Sequence, residues 1–150
     1  MKNKGFNIVE LIVIIVIIGV IMAIGIPAFR GVFMRGRLEE SGNQVFAFYQ
    51  RTQRYAATTG VNYELQVDKS AEVFRCMEEG AATTVRDSLK LRTGLDLEYS
   101  SGVSAIVFTV EPDGFVRDDD SLRAFNIDDS KTGKSLVFYI SPLGVMEVNR

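Results

Sequence analysis

The chain has no histidine and no tryptophan, and only one cysteine and three prolines in 150 residues. Without histidine there is no Ser-His-Asp or Cys-His catalysis, no His-ligated zinc or haem, and no imidazole pH switch. Cys76 alone cannot close an internal disulfide. It also excludes Cys-x-x-Cys redox chemistry, zinc fingers and cysteine-ligated iron–sulfur clusters. A large net charge is missing too: 17 Lys and Arg stand against 19 Asp and Glu, for a net of -2. The distribution is uneven, with +4 over residues 1–59 and -6 over residues 60–150. An acidic second part does not suit a basic nucleic-acid-binding domain, so no nucleic-acid partner is expected. At 47% hydrophobic and 24% charged residues the chain is neither disordered nor collagen-like, and its length suits one ordinary domain.

Charge is absent altogether from Leu11 to Phe29, where every residue is apolar, Gly or Pro. A helix over these residues reaches roughly 28 Å at about 1.5 Å per residue, close to the hydrocarbon thickness of a bilayer. This segment therefore meets a membrane. Lys2 and Lys4 precede it and favour keeping that end in the cytoplasm, although Arg30, Arg35 and Arg37 follow the other end. Beyond the apolar run, Leu38, Gly42, Val45, Phe48/Tyr49, Thr52, Tyr55/Ala56 and Thr59 recur at three- and four-residue steps. Gly60 is a natural helix stop. The reading is one long helix from Phe6 to Thr59, bent or loosened near Gly25-Ile26-Pro27.

From Val61 the hydrophobic period drops to two. Strands are predicted at Val61–Val67, Val73–Met77, Val85–Leu91, Leu95–Tyr99, Val103–Val110, Leu122–Ile127, Ser135–Ser141 and Val145–Val148. Pro112-Asp113-Gly114 and Pro142-Leu143-Gly144 are turns, with Pro presetting φ and Gly accepting a positive one. No internal repeat is evident. A helix followed only by strands gives an α+β fold. The helix has a membrane-spanning first half, and an amphipathic second half packed on one face of an antiparallel sheet.

Glu10 stands at the edge of the uncharged run, where a carboxylate is costly unless it is paired or interfacial. The segment KGFNIVELIVIIVIIGVIMAIGIP resembles the class III signal of type IV pilins and type II secretion pseudopilins. The matching residues are Lys4, Gly5, Phe6, Glu10, the run from Leu11, and Pro27. Asn7 stands where that family more often has Thr. The resemblance implies that residues 1–5 are a leader, cut between Gly5 and Phe6 by a prepilin peptidase that also methylates the new Phe6 amine. It implies that residues 6–29 anchor the subunit in the inner membrane and later pack in a filament core. Residues 30–150 would then form a periplasmic head of amphipathic helix and sheet. Glu10 would pair with the Phe6 amine of a neighbouring subunit during assembly. The implied partners are the peptidase, an inner-membrane assembly platform and other pilins or pseudopilins.

Three further segments carry the resemblance past the signal. VFAFYQRTQRYAATTGVNYELQV at Val45–Val67 looks like the helix-end-to-first-strand passage of minor pseudopilin H and of FimT/FimU-like minor pilins. FTVEPDGFV at Phe108–Val116 and ISPLGVMEV at Ile140–Val148 look like their turn and closing hairpin. With no C-terminal disulfide loop available, a minor subunit is favoured over a major one. The role implied is that of a structural subunit and not an enzyme. Two other readings of the N-terminus stay open. One is a secretory signal cut after Ala23-Ile24-Gly25. The other is a plain single-span anchor for a periplasmic binding or sensor head, which would need neither processing nor Glu10.

Gly133-Lys134-Ser135 looks like the tail of a phosphate-binding loop, but Asp128 occupies the first glycine position and a strand follows, so a charged hairpin turn is expected. Asp118, Asp120 and Asp128 are the calcium candidates. The stretch from Asp128 begins like a calcium loop but ends on Tyr139 instead of an acidic ligand, which favours a solvated acidic turn. No other cofactor is expected. Cys76 alternates with Phe74 and reads as a buried small apolar residue.

Overall fold

The computed structural model describes residues 8–81, 84–99, 105–118 and 124–149. The chain divides into two compact units, Met1–Gly36 and Arg37–Arg150. A single helix, α1 (Ile8–Thr59), contributes to both.

In the first unit, Ile8–Ile26 has a mean hydropathy of 3.1 and none of it is buried, so it is long and apolar enough to cross a membrane. The helix was expected to bend or loosen at Gly25-Ile26-Pro27; it does not unwind there, and the residues stay helical throughout. Pro27 removes one backbone donor, but its fixed φ is itself close to helical, and the following turns continue the pattern.

In the second unit, α1 ends where the sequence supplies a left-handed glycine. Gly60 has φ +72°, and its amide reaches the Ala56 carbonyl at 2.9 Å. Most of the helical stripe read from the sequence is buried: Leu38, Gly42, Val45, Phe48, Tyr49, Thr52 and Ala56 are, while Tyr55 is half-buried and Thr59 is exposed where the helix ends. Nine strands follow. They are β1 (Tyr63–Asp68), β2 (Val73–Glu78), β3 (Val85–Lys90), β4 (Leu95–Glu98), β5 (Ala105–Val110), β6 (Val116–Asp118), β7 (Ala124–Asp129), β8 (Lys134–Ile140) and β9 (Met146–Asn149).

The fold is α+β with antiparallel pairing, but the strands form two sheets and not the single one expected. Sheet A has the order β3-β2-β1-β5-β6 and sheet B the order β4-β7-β8-β9. Period-two alternation says which side chains face inward, yet not which strands are neighbours, and the division rests on that pairing. β1 is central in sheet A, with Leu65 opposite Cys76 on one side and Phe108 on the other. Strand β6 was not anticipated. It is only three residues long, and Val116 within it is buried.

One core serves the helix and both sheets. Phe48 of α1 lies 6.5 Å from Phe74 of β2, Phe74 lies 5.5 Å from Phe125 of β7, and Phe125 stacks on Phe138 of β8 at 5.0 Å. This chain of rings joins helix, sheet A and sheet B, each pair adding about 1 kcal/mol beyond its buried area. At Gly42 the helix lies close against Leu136 and Phe138 of sheet B. A Cβ there would lie 2.7 Å from Leu136 Cδ1.

The sequence also contains a short repeat that was not anticipated. Val110-Glu111-Pro112-Asp113-Gly114-Phe115-Val116 and Ile140-Ser141-Pro142-Leu143-Gly144-Val145-Met146 share one pattern and make the same turn. In the first, the Glu111 amide bonds the Phe115 carbonyl at 2.9 Å and the Gly114 amide bonds the Glu111 carbonyl at 3.0 Å. In the second, Ser141 to Val145 and Gly144 to Ser141 are both 2.9 Å. The repeat escapes a sequence scan because only the Pro-x-Gly skeleton is common, and the flanks match in character alone. One turn closes β5–β6 of sheet A and the other closes β8–β9 of sheet B.

Candidate functional site

At the N-terminal end of α1, Glu10 lies in the first helical turn and is exposed. A carboxylate there is favoured by the helix macrodipole. It is followed by Leu11–Ile26, in which no side chain is charged and the large apolar residues are exposed. Gly5 and Phe6, the expected cleavage and methylation residues, lie outside the described residues, as do Lys2 and Lys4.

In the second unit, the two Pro-x-Gly turns meet. The Val116 amide donates to the Pro142 carbonyl at 3.0 Å, linking sheet A to sheet B. Gly144, at φ +74°, sits so close to the other turn that a Cβ would lie 1.9 Å from the Gly114 carbonyl oxygen. Helix α1 secures this junction. The Tyr49 hydroxyl donates to the Gly144 carbonyl at 3.0 Å, and the Gln53 amide donates to the same carbonyl at 2.8 Å and to the Tyr49 oxygen at 3.2 Å. Burial pushes the Tyr49 hydroxyl pKa up to about 12. The sequence placed Tyr49 only in the buried helical stripe and did not single out Gln53, because the partner of both is ninety-odd positions away.

A second tie lies nearer the start of this unit. The Arg37 guanidinium donates to the Thr93 carbonyl at 2.8 Å. Asp129, which is buried, closes the β7–β8 turn by accepting from the Lys131 amide at 2.9 Å. Its burial opposes the charge. The Lys131 amide, the Thr132 hydroxyl and amide, and nearby Arg37 outweigh that opposition and hold the carboxyl below the usual range. Lys134 and Ser135 start strand β8, so Gly133-Lys134-Ser135 is the hairpin turn expected and not a phosphate loop.

Of the three calcium candidates, Asp128 is the one whose side chain is described. Asp128 lies half-buried on the outer face of β7, directly opposite Asp96 of β4. Burial, with Glu98 and Asp96 nearby, pushes its carboxyl above the usual range. Asp118 ends β6, and Asp120 lies outside the described residues. Among the described residues no group of three or more acidic or cysteine side chains is placed to hold a metal ion. Cys76 is fully buried in β2, and burial raises its thiol pKa, so it behaves as the small apolar residue expected.

The sequence matches no family model and no curated protein. The structure has clear counterparts. It is similar to the type IV minor pilin FimU of Pseudomonas aeruginosa strain PAO1, with a TM-score of 0.61 at 18% identity over 77% of this chain and 90% of that one. A second crystal form of FimU gives 0.58 at 18% identity, covering 75% and 93%. The minor pseudopilin EpsH from the type 2 secretion system of Vibrio cholerae gives 0.53 at 17% identity, covering 73% and 96%. The chain therefore shares the fold of a minor pilin and a minor pseudopilin, as the resemblance of its N-terminal signal led us to expect.

Proposed function

We propose that this chain is a minor pilin or pseudopilin, a structural subunit of a type IV pilus or a type II secretion pseudopilus. The observation that carries this reading is a conjunction within one helix. α1 begins with Glu10 ahead of an exposed, charge-free stretch to Ile26, and the same helix ends among sheets arranged as in FimU and EpsH. An anchor for a sensor head needs the apolar stretch alone. It has no use for an acidic residue at its threshold or for Gly5-Phe6 ahead of it.

On this reading a prepilin peptidase cuts between Gly5 and Phe6 and methylates the Phe6 amine. Residues 6–29 hold the subunit in the inner membrane with the head in the periplasm. An assembly platform then draws the helix into a filament with other pilins. Glu10 supplies a carboxylate for a neighbour's N-terminal amine, and where water is scarce either charge left without the other is costly, which selects the paired arrangement. No side chain in the head is assigned a catalytic role.

Replacing Glu10 by Ala tests the assignment. Membrane insertion persists because the apolar stretch is untouched, while incorporation into filaments is lost. Normal incorporation of the Glu10→Ala chain contradicts the role given to Glu10.

A further inference from the structure

The head carries two charged surfaces of opposite sign that do not neutralise each other. The outer face of sheet B presents Asp96, Glu98, Asp128 and Glu147, and its own strands add no Lys or Arg to that face. Asp96 and Asp128 are directly opposed in the β4–β7 register, an arrangement that costs stability in an isolated sheet. Among the described residues, Glu98 is the one of these four that pairs with a cation, Lys69 from the β1–β2 turn. Beside these carboxylates lie half-buried Val137 and exposed Tyr139, so the face is apolar as well as acidic.

The exposed face of α1 within the same unit is the converse. From Ser41 to Thr59 the helix has no acidic residue. Ala47, Gln50, Arg51, Arg54 and Ala57 all face outward. Between this face and Leu89 of β3 runs an open groove of about 330 Å³. Arg51 reaches Asp87 at 3.5 Å, while the Arg54 side chain forms no ion pair among the described residues. Arg86 adds a further guanidinium, lying over the Tyr55 ring at 4.9 Å. Among the described residues no ion pair joins this surface to the acidic face of sheet B.

We propose that the two surfaces are the halves of one interface: the acidic outer face of sheet B in one subunit docks on the Ala47–Ala57 face of α1 in a second copy of the chain. The small Ala47 and Ala57 let the sheet approach the helix. Arg51 and Arg54 meet Asp96 and Asp128, relieving the repulsion that the β4–β7 register builds in. Because the two surfaces differ, the contact is head-to-tail and propagates instead of closing as a two-fold dimer. This deepens the reading of the chain as a filament subunit and rests on it.

The test uses full-length chains in membranes. Two differently tagged copies are co-expressed, one with Arg54→Cys and the other with Asp128→Cys, and mild oxidation reads their proximity, native Cys76 being buried. The expected result is a disulfide-linked heterodimer, about ten-fold more abundant than between two Arg54→Cys copies. In a companion experiment, Arg54→Glu in a copy whose reporter cysteine is Gln50→Cys lowers cross-linking to Asp96→Cys about ten-fold. Asp128→Lys in the partner restores it, which excludes simple misfolding. Cross-linking between Ile15→Cys copies separately reports helix association. If the helices cross-link and the heads do not, the proposed interface is overturned while the filament reading stands. If the heads cross-link but the chains keep an intact Met1, the interface stands and the filament reading fails. Equal yields from matched and mismatched head pairs overturn the interface.

Discussion

The Tyr49 hydroxyl donates to the Gly144 carbonyl at 3.0 Å and so ties the helix to the point where the two sheets' hairpin turns meet. Helix, sheet A and sheet B converge there, because the Val116 amide binds the Pro142 carbonyl in the same junction. Replacing Tyr49 by Phe keeps the ring but removes the donor, leaving Gln53 as the remaining side-chain tie to Gly144. The expected cost is about 1 kcal/mol, read as a lower thermal midpoint with unchanged secondary structure.

Tyr49 also makes the fold sensitive to alkali. Its hydroxyl ionises near 10 when unfolded and at about 12 when folded. A raised folded pKa means that the stabilisation is complete below 10 and is lost as pH rises from 10 through 12. The loss amounts to roughly 3 kcal/mol, because the unfolded chain gives up its proton first. Unfolding measured across that range shows a falling limb in the wild type and a shallower one in Tyr49→Phe.

The two turns of the repeat respond differently to the same change. Gly114→Ala meets open space and carries only the strain of a positive φ, about 1 kcal/mol. Gly144→Ala carries that strain and also places Cβ against the Gly114 carbonyl, so about 3 kcal/mol or more is expected. Denaturant unfolding of the two variants measures the difference, and equal effects contradict the packed junction.

On the acid side the buried carboxylate of Asp129 contributes, as does Asp68, which the Ser70 hydroxyl and Ala71 amide hold low. The Asp129 pKa is held below the usual 3.8, so its stabilisation is present above that value and is lost as pH falls through the folded pKa. Asp129→Asn is less stable at neutral pH, and its stability depends less on acid. A pH series of unfolding midpoints for the two chains checks both statements.

Much of this fold is legible in the sequence. Leu38, Val45, Phe48 and Ala56 declare the buried helix face by their spacing, Gly60 declares its end, and the alternation in Tyr63–Val67 declares β1. These are local signals, set by side-chain periodicity and backbone preference. The division into two sheets is not local, since it depends on β1 choosing β5 while β7 chooses β4 and β8. The Tyr49–Gly144 tie and the carboxylates of Asp96 and Asp128 are hidden for the same reason. Each member is an unremarkable residue until register brings it to its partner. The Glu10 and Gly5-Phe6 pattern was the reverse case, plain in the sequence because it is read along the chain.

The most direct test of the account is the N-terminus of the chain recovered from membranes, by intact mass and terminal sequencing. The account predicts a chain beginning at Phe6 with one added methyl group. In a host that carries a prepilin peptidase, an intact Met1 contradicts it in favour of a plain anchor. A start near Ile26 contradicts it in favour of a secreted domain.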